Sequence, residues 1–161
     1  EIKGETSSHG TRHLNFTRRQ PYGVVAKINA FNHPFRFCVE KSAAPLAAGN
    51  CLVIKGSEQA PLSGLKFGEF CEGLFPDGVV NIMSGKRIEL ISHFASHKDV
   101  NSIIYCGDIN VEVEKIEKLA VENLKRVTIY KQKSWDTQDS QSPYFIKRNH
   151  EIKTIWHPIE V

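Results

Sequence analysis

The sequence of 161 residues lacks the features that mark membrane and exported proteins. Its longest apolar runs, such as residues 51–54, are only long enough for a strand, whereas a helix that crosses a bilayer needs about 20 apolar residues. No basic stretch followed by an apolar one stands near residue 1, so an export signal is not indicated. We therefore expect no membrane partner and a cytoplasmic location.

The chain also lacks a strong net charge and a cysteine framework. It has 21 basic and 18 acidic residues, and its short basic runs have no aromatic residues between them, which argues against nucleic-acid binding. Its 4 cysteines are widely spaced and form no C-x-x-C pair, so we expect reduced, buried thiols and no metal site. With 40% hydrophobic and 24% charged residues, the composition is typical of an ordinary globular domain.

Five short apolar segments alternate with helix-like segments along the middle of the chain. They cover residues 24–28, 51–54, 79–83, 102–106 and 127–130. Nearly continuous apolar character is typical of strands that are buried on both faces of a parallel sheet. The sequence therefore predicts an α/β fold: a Rossmann-like, mainly parallel five-stranded sheet with helices on both faces.

Both ends of the chain differ from this middle part. The alternation of Leu14, Phe16 and Arg18 with other residues predicts an N-terminal hairpin. The C-terminal segment that contains Ile152 and Trp156 is predicted to be an edge strand. We expect the two ends to form a small antiparallel arm. Its apolar side chains would form an exposed face: Leu14, Phe16, Ile152, Ile155 and Trp156.

A series of short motifs follows in a fixed order through the middle of the chain. The motifs are R-Q-P-Y-G-V-V at 19–25, F-N-H-P at 31–34, A-P-L-A-A-G-N at 44–50, K-G-S-E-Q-A-P at 55–61, F-P-D-G-V-V-N at 75–81 and H-K-D-V at 97–100. In this order they resemble the nucleotide-binding part of the aldehyde dehydrogenase superfamily. The resemblance divides the chain into an N-terminal assembly hairpin (1–20), a dinucleotide-binding core (21–131), a linker (132–148) and a C-terminal assembly strand (149–161).

The resemblance implies NAD or NADP as the cofactor. Lys55 and Glu58 match the family's residues that hold the adenosine ribose, although the residues alone favour a surface pair at a helix start. Asn32 matches the family's oxyanion donor, which would be vestigial here, and a turn asparagine is the alternative. The matching cofactor positions together are Phe31, Lys55, Ser57, Glu58, Gly85, Tyr105, Gly107, Asp108 and Val111.

Several positions depart from the family pattern. Asp108 stands where the family has the serine that meets the pyrophosphate, and Glu112 stands at a family glycine, so two added negative charges predict weak dinucleotide binding. Tyr130 takes the place of the family's general-base glutamate. The G-Q motif that precedes the family's nucleophilic cysteine does not occur in this sequence, so none of its four cysteines matches the nucleophile.

These departures leave two hypotheses about function. In the first, the chain is a truncated, non-catalytic relative with a degenerate NAD(P)-binding fold and an oligomerisation arm. In the second, it is a fragment of an active NAD(P)-dependent aldehyde dehydrogenase, which oxidises an aldehyde to a carboxylic acid when a catalytic domain completes it. In either case we expect the arm to bind a second copy or a full-length relative.

Overall fold

The structure is a computed structural model, and it describes residues 2–8, 12–107, 109–131, 137–138 and 142–159. The elements in chain order are β1 (Thr6–Ser8), β2 (His13–Pro21), β3 (Val24–Ile28), α1 (Pro34–Ala47), β4 (Cys51–Lys55), α2 (Pro61–Cys71), β5 (Val80–Met83), α3 (Arg87–Ser96), β6 (Ser102–Cys106), α4 (Asn110–Ala120), a 3₁₀ turn (Val121–Asn123), β7 (Arg126–Tyr130), α5 (Tyr144–Lys147) and β8 (His150–Pro158). None of the helices in the described part of the chain is long and apolar enough to cross a membrane.

The larger sheet has five parallel strands in the order β5-β4-β3-β6-β7. Every residue of β6 is buried, as expected of a strand that has neighbours on both edges and helices on both faces. The predicted Rossmann-like sheet is therefore confirmed.

Helices cover both faces of this sheet. On one face, Phe37 of α1 and Phe67 of α2 pack with Leu52 and Ile104 of the strands. On the other face, α3 and α4 contribute a second cluster, which includes Ile91 and Ile116. Because successive strand residues point to opposite faces, four of the strands (β3, β4, β6 and β7) supply residues to both clusters, whereas β5 supplies only the first.

A small antiparallel sheet in the order β1-β2-β8 forms the predicted arm. β2 and β8 pair over nine residues, from His13 opposite Pro158 to Pro21 opposite His150. The prediction of a single apolar face on this arm is wrong. Phe16 lies opposite Ile155, so these two side chains share a face, whereas Ile152 is an odd number of residues away and points to the other side.

The segment predicted as a linker contains the short helix α5, which docks against α1 and β7. The ring centroids of Phe145 and Tyr130 are 5.7 Å apart, and the Lys41 ammonium lies 4.6 Å from the centroid of the Phe145 ring. These contacts cover part of the outer side of α1 with residues from the C-terminal segment.

Asn50 joins three parts of the chain through its buried amide. Its Oδ1 accepts a hydrogen bond from the N–H of Gly23 at 3.0 Å, and its Nδ2 donates to the carbonyl oxygens of Pro45 and Asn149, also at 3.0 Å. One side chain therefore ties the start of β3, the end of α1 and the segment before β8 together.

Candidate functional site

The candidate site lies at the carboxyl edge of the five-stranded sheet. From β3 in the middle of the sheet, β4 and β5 follow one another towards one edge, whereas β6 and β7 lie on the other side of β3. The direction of winding therefore reverses between β3 and β6. Open α/β sheets bind their ligands in the crevice that such a reversal creates at the carboxyl ends of the strands.

Four of the predicted cofactor residues line one small cavity of about 90 Å³ at this edge. They are Phe31, Lys55, Ser57 and Glu58. The same cavity is lined by three residues that sequence analysis missed: Asn29, Gln59 and Arg87. Asn29 and Arg87 could have been suspected, because Asn29 directly follows a predicted strand and Arg87 is the first residue of a helix.

Lys55 and Glu58 form the polar end of the cavity. The Lys55 side chain is only 1% exposed, so it is not a surface lysine, and its Nζ lies 3.7 Å from Glu58 Oε2. Burial lowers the pKa of Lys55, and the neighbouring Glu58 carboxylate partly offsets that effect. Glu58 Oε2 also accepts a hydrogen bond of 2.6 Å from the N–H of Arg87, the first residue of α3, and this bond is the main cause of the lowered pKa of Glu58.

Asn29 presents an unsatisfied polar atom beside this pair. The residue is 2% exposed, and its Nδ2 donates to Cys38 Sγ at 3.2 Å. Its Oδ1 is buried and has no hydrogen-bond partner among the described residues. Because buried carbonyl groups are nearly always paired, Asn29 Oδ1 calls for a donor such as the hydroxyl group of a ligand or a water molecule.

The remaining predicted residues lie apart from this cavity. Asn32 and Val111 are exposed, and Asn32 stands in the turn before α1. Gly85 has φ +146, a backbone conformation that an L side chain rarely adopts. Tyr105 is fully buried and lies close to Gly107. Asp108 falls outside the described residues.

Glu112 has partners that sequence analysis did not anticipate. The Nε of Arg87 lies 2.9 Å from Glu112 Oε2, and the Tyr105 hydroxyl donates to the same oxygen at 2.5 Å. Both members of the ion pair are largely buried, with exposed fractions of 21% for Arg87 and 17% for Glu112. The negative charge of Glu112 is therefore compensated within the chain and is not an isolated charge, as the sequence suggested.

Tyr130 and Cys106, at the carboxyl ends of β7 and β6, are poor acid–base or nucleophilic groups. Burial raises the pKa of Tyr130 to about 12 and that of Cys106 to about 11. Both side chains are therefore protonated near neutral pH. A protonated phenol cannot accept a proton, and a protonated thiol is a weak nucleophile.

This combination of a parallel five-stranded sheet, helices on both faces and polar side chains at the point of reversal defines a Rossmann-like α/β domain. The model of the aldehyde dehydrogenase family matches residues 1–130 of the chain. The chain belongs to the aldehyde dehydrogenase family.

Three relatives show how much of the family this chain contains. An aldehyde dehydrogenase-like protein of Schizosaccharomyces pombe is 39% identical over 130 residues, which are 80% of this chain and 26% of that protein. Human mitochondrial 10-formyltetrahydrofolate dehydrogenase is 36% identical over 134 residues, which cover 80% of this chain and 14% of that protein. PnpE from Pseudomonas sp. WBC-3 is 37% identical with a TM-score of 0.75, over 80% of this chain and 26% of PnpE, and one of its structures is a complex with nicotinamide adenine dinucleotide. The chain thus spans about a quarter of the length of these relatives, or less.

Proposed function

We propose that this chain is a nucleotide-binding module of the aldehyde dehydrogenase family that binds NAD or NADP weakly and does not oxidise aldehydes by itself. The observation that carries the proposal is Tyr130. It stands at the position of the family's general base, and its pKa of about 12 keeps it protonated. The family's carboxylate, which can accept and release a proton near pH 7, is therefore replaced by a phenol that stays protonated at this pH.

The cofactor fits one end of the site better than the other. Lys55 can donate a hydrogen bond to a ribose hydroxyl group, while Glu58 and the free Asn29 Oδ1 can accept hydrogen bonds from the two hydroxyls of a diol. At the other end, Arg87 and Glu112 are paired with each other. When bound, a dinucleotide supplies a hydride acceptor, but recognition by this chain would rest mainly on its ribose.

A fragment of an active aldehyde dehydrogenase is the second candidate. Its support is that the chain spans only 26% of the S. pombe relative and keeps the lysine and glutamate of the ribose end. In that case a catalytic domain would supply the nucleophile and the general base.

A cytoplasmic location remains a prediction from the sequence.

The test of the proposed function combines turnover with binding. We expect no formation of reduced cofactor, followed by absorbance, when the purified chain is incubated with NAD or NADP and a panel of aldehydes. We expect NAD titrations followed by NMR to give a dissociation constant of about 1 mM or weaker. Lys55→Met should abolish this binding, because it removes the buried donor to the ribose.

The matched control is Lys66→Met, which removes an exposed lysine of α2 away from the cavity. Its NAD binding should equal that of the unaltered chain. Turnover that stays with the protein through repeated purification would refute the absence of catalysis. Equal NAD binding by the Lys55 and Lys66 variants would refute the assignment of the ribose end.

We also propose that the arm pairs with a second copy of the chain through β8. Within the described residues β8 pairs with β2 and with no other strand, so it is an edge strand of the arm, and edge strands invite pairing with another chain. An antiparallel pairing centred on Thr154 would place Ile152 of one copy opposite Trp156 of the other. These two side chains are 55% and 58% exposed. A full-length relative could use the same edge.

Ile152→Lys should therefore weaken self-association, because it places like charges close to the two-fold axis of such a dimer. The measurement is light scattering over a range of protein concentrations. Leu124→Lys is the control, since Leu124 is 79% exposed and lies far from the arm in sequence. A monomer for the unaltered chain, or the same dimer for both variants, would contradict this proposal.

A further inference from the structure

Arg87, Glu112 and Tyr105 form a closed polar cluster between two helices. Arg87 is the first residue of α3, and Glu112 lies in the first turn of α4. The ion pair, with Nε and Oε2 2.9 Å apart, therefore joins the N-terminal ends of two helices on the same face of the sheet. The Tyr105 hydroxyl, at the end of β6, donates to Glu112 at 2.5 Å and completes the cluster.

This cluster occupies a place that suits a phosphate group. Both helices begin at the carboxyl edge of the sheet, where free backbone N–H groups and the helix dipole favour an anion. At α3 a carboxylate of the chain already takes this place, because Glu58 accepts a hydrogen bond from the first N–H of the helix. The Glu112 carboxylate lies in the first turn of α4, where it binds Arg87 and Tyr105. The ring of Tyr105 fills the space next to Gly107, since a Cβ added at Gly107 would lie 2.8 Å from the Tyr105 hydroxyl.

We propose that the Glu112 carboxylate is an internal substitute for a ligand phosphate and that it keeps the crevice between α3 and α4 closed. This inference rests on the proposed nucleotide-binding function. A phosphate group that takes the Nε of Arg87 has to displace Glu112, so binding breaks the existing ion pair and also meets the repulsion of the displaced carboxylate. Glu112 therefore lowers the affinity for the phosphate groups, in addition to the negative charge that the sequence carries at Asp108.

Neutral substitutions at position 112 should open the site. Glu112→Gln keeps the size of the side chain and an acceptor for the Tyr105 hydroxyl but removes the negative charge. Glu112→Ala removes the side chain and suits a helix. We expect both variants to bind ADP-ribose and NAD at least about tenfold more tightly than the unaltered chain, as measured by calorimetric titration. Thermal unfolding would establish that each variant is folded.

Two controls separate this effect from a general change in charge. Glu114→Gln makes the same charge change on α4, but its exposed side chain lies two residues further, on the other side of the helix, and we expect no gain in affinity. In the double variant Arg87→Gln with Glu112→Gln the gain should disappear, because the cation that the ligand would use is also gone.

The titrations also distinguish this inference from the proposed function. A gain in the Glu112 variants that depends on Arg87 supports the inference. If Lys55→Met, added to a Glu112 variant, leaves that gain unchanged, the phosphate site is supported and the assignment of the ribose end is refuted. If the unaltered chain binds NAD through Lys55 but neither Glu112 variant binds more tightly, the internal substitute is refuted and the proposed function remains. If no variant binds either ligand, both are refuted.

Discussion

Replacing Asn50 with alanine is expected to lower the free energy of unfolding by roughly 3 kcal/mol. Asn50 is 2% exposed, and its amide serves the N–H of Gly23 and the carbonyl groups of Pro45 and Asn149. The Pro45 carbonyl keeps its bond from the Asn50 backbone, but the other two groups lose their partner. A buried polar group without a partner costs about 1–3 kcal/mol, so two of them account for the expected loss.

Urea denaturation at fixed pH measures this loss. Asn81→Ala is the matched control, because the Asn81 amide also donates two hydrogen bonds, to Leu52 and Gly78, but lies on the exposed edge strand β5. Water can replace those bonds, so we expect a loss of less than about 1 kcal/mol there. Equal losses in the two variants would contradict the role assigned to Asn50.

The second large effect concerns Lys27, whose side chain is fully buried beneath α1. Its ammonium donates to the carbonyl oxygen of Phe37 and, at 3.1 Å, to Ser42 Oγ. Burial nevertheless lowers the pKa of Lys27 to about 8, and the nearby thiols of Cys106 and Cys38 offset this only in part. Because the unfolded chain holds this proton up to a pKa near 10.5, the charged lysine destabilises the fold by about 3 kcal/mol at pH 7.

The sign of the pH dependence follows from the lowered pKa of Lys27. Between about pH 8 and 10.5 the unfolded state binds more protons than the folded state, so stability rises with pH in this window. Above pH 9 the raised pKa of Cys106 acts in the opposite direction, because the unfolded thiol ionises first. We therefore expect the unaltered chain to gain about 1 kcal/mol between pH 7 and pH 9.

Lys27→Met should remove this gain and stabilise the chain at pH 7 by about 2 kcal/mol, since an apolar side chain of similar length carries no buried charge. Denaturant unfolding of both proteins at pH 7 and pH 9 tests the two expectations together. Lys118→Met, which alters an exposed lysine of α4, should leave the pH dependence as it is. A less stable Lys27 variant at pH 7 would show that the hydrogen bonds of the ammonium outweigh the cost of burying its charge.

The sequence predicted the regular part of the fold because its signals are local. The apolar run at 102–106 became β6, buried at every position, and the alternation of Leu14 and Phe16 became β2. The helix α5 was not predicted, because four residues in a polar segment carry no periodic pattern and the helix depends on contacts of Phe145 with distant residues. The prediction of one apolar face on the arm was wrong because Ile152 and Ile155 are three residues apart, and residues at an odd separation in a strand point to opposite faces.

The candidate site was predicted in part for the same reason. Lys55 and Glu58 are three residues apart, so a motif could place them together. Arg87 and Glu112 are 25 residues apart and meet only because α3 and α4 begin side by side. The compensation of Glu112 therefore depends on tertiary structure. Likewise, the unsatisfied Oδ1 of Asn29 becomes visible only when its surroundings are known.

Because β2 pairs with β8, we expect the arm and the five-stranded sheet to form at different stages of folding. Neighbouring strands of the five-stranded sheet pair across at most 77 residues, as between Val25 and Ser102, whereas Phe16 pairs with Ile155 across 139 residues. Pairing at such a separation closes a large loop late in folding, although the entropy of closure grows only slowly with loop length. Backbone amides of the arm should therefore exchange with solvent through local opening, while those of β3 and β6 exchange only when the entire core unfolds.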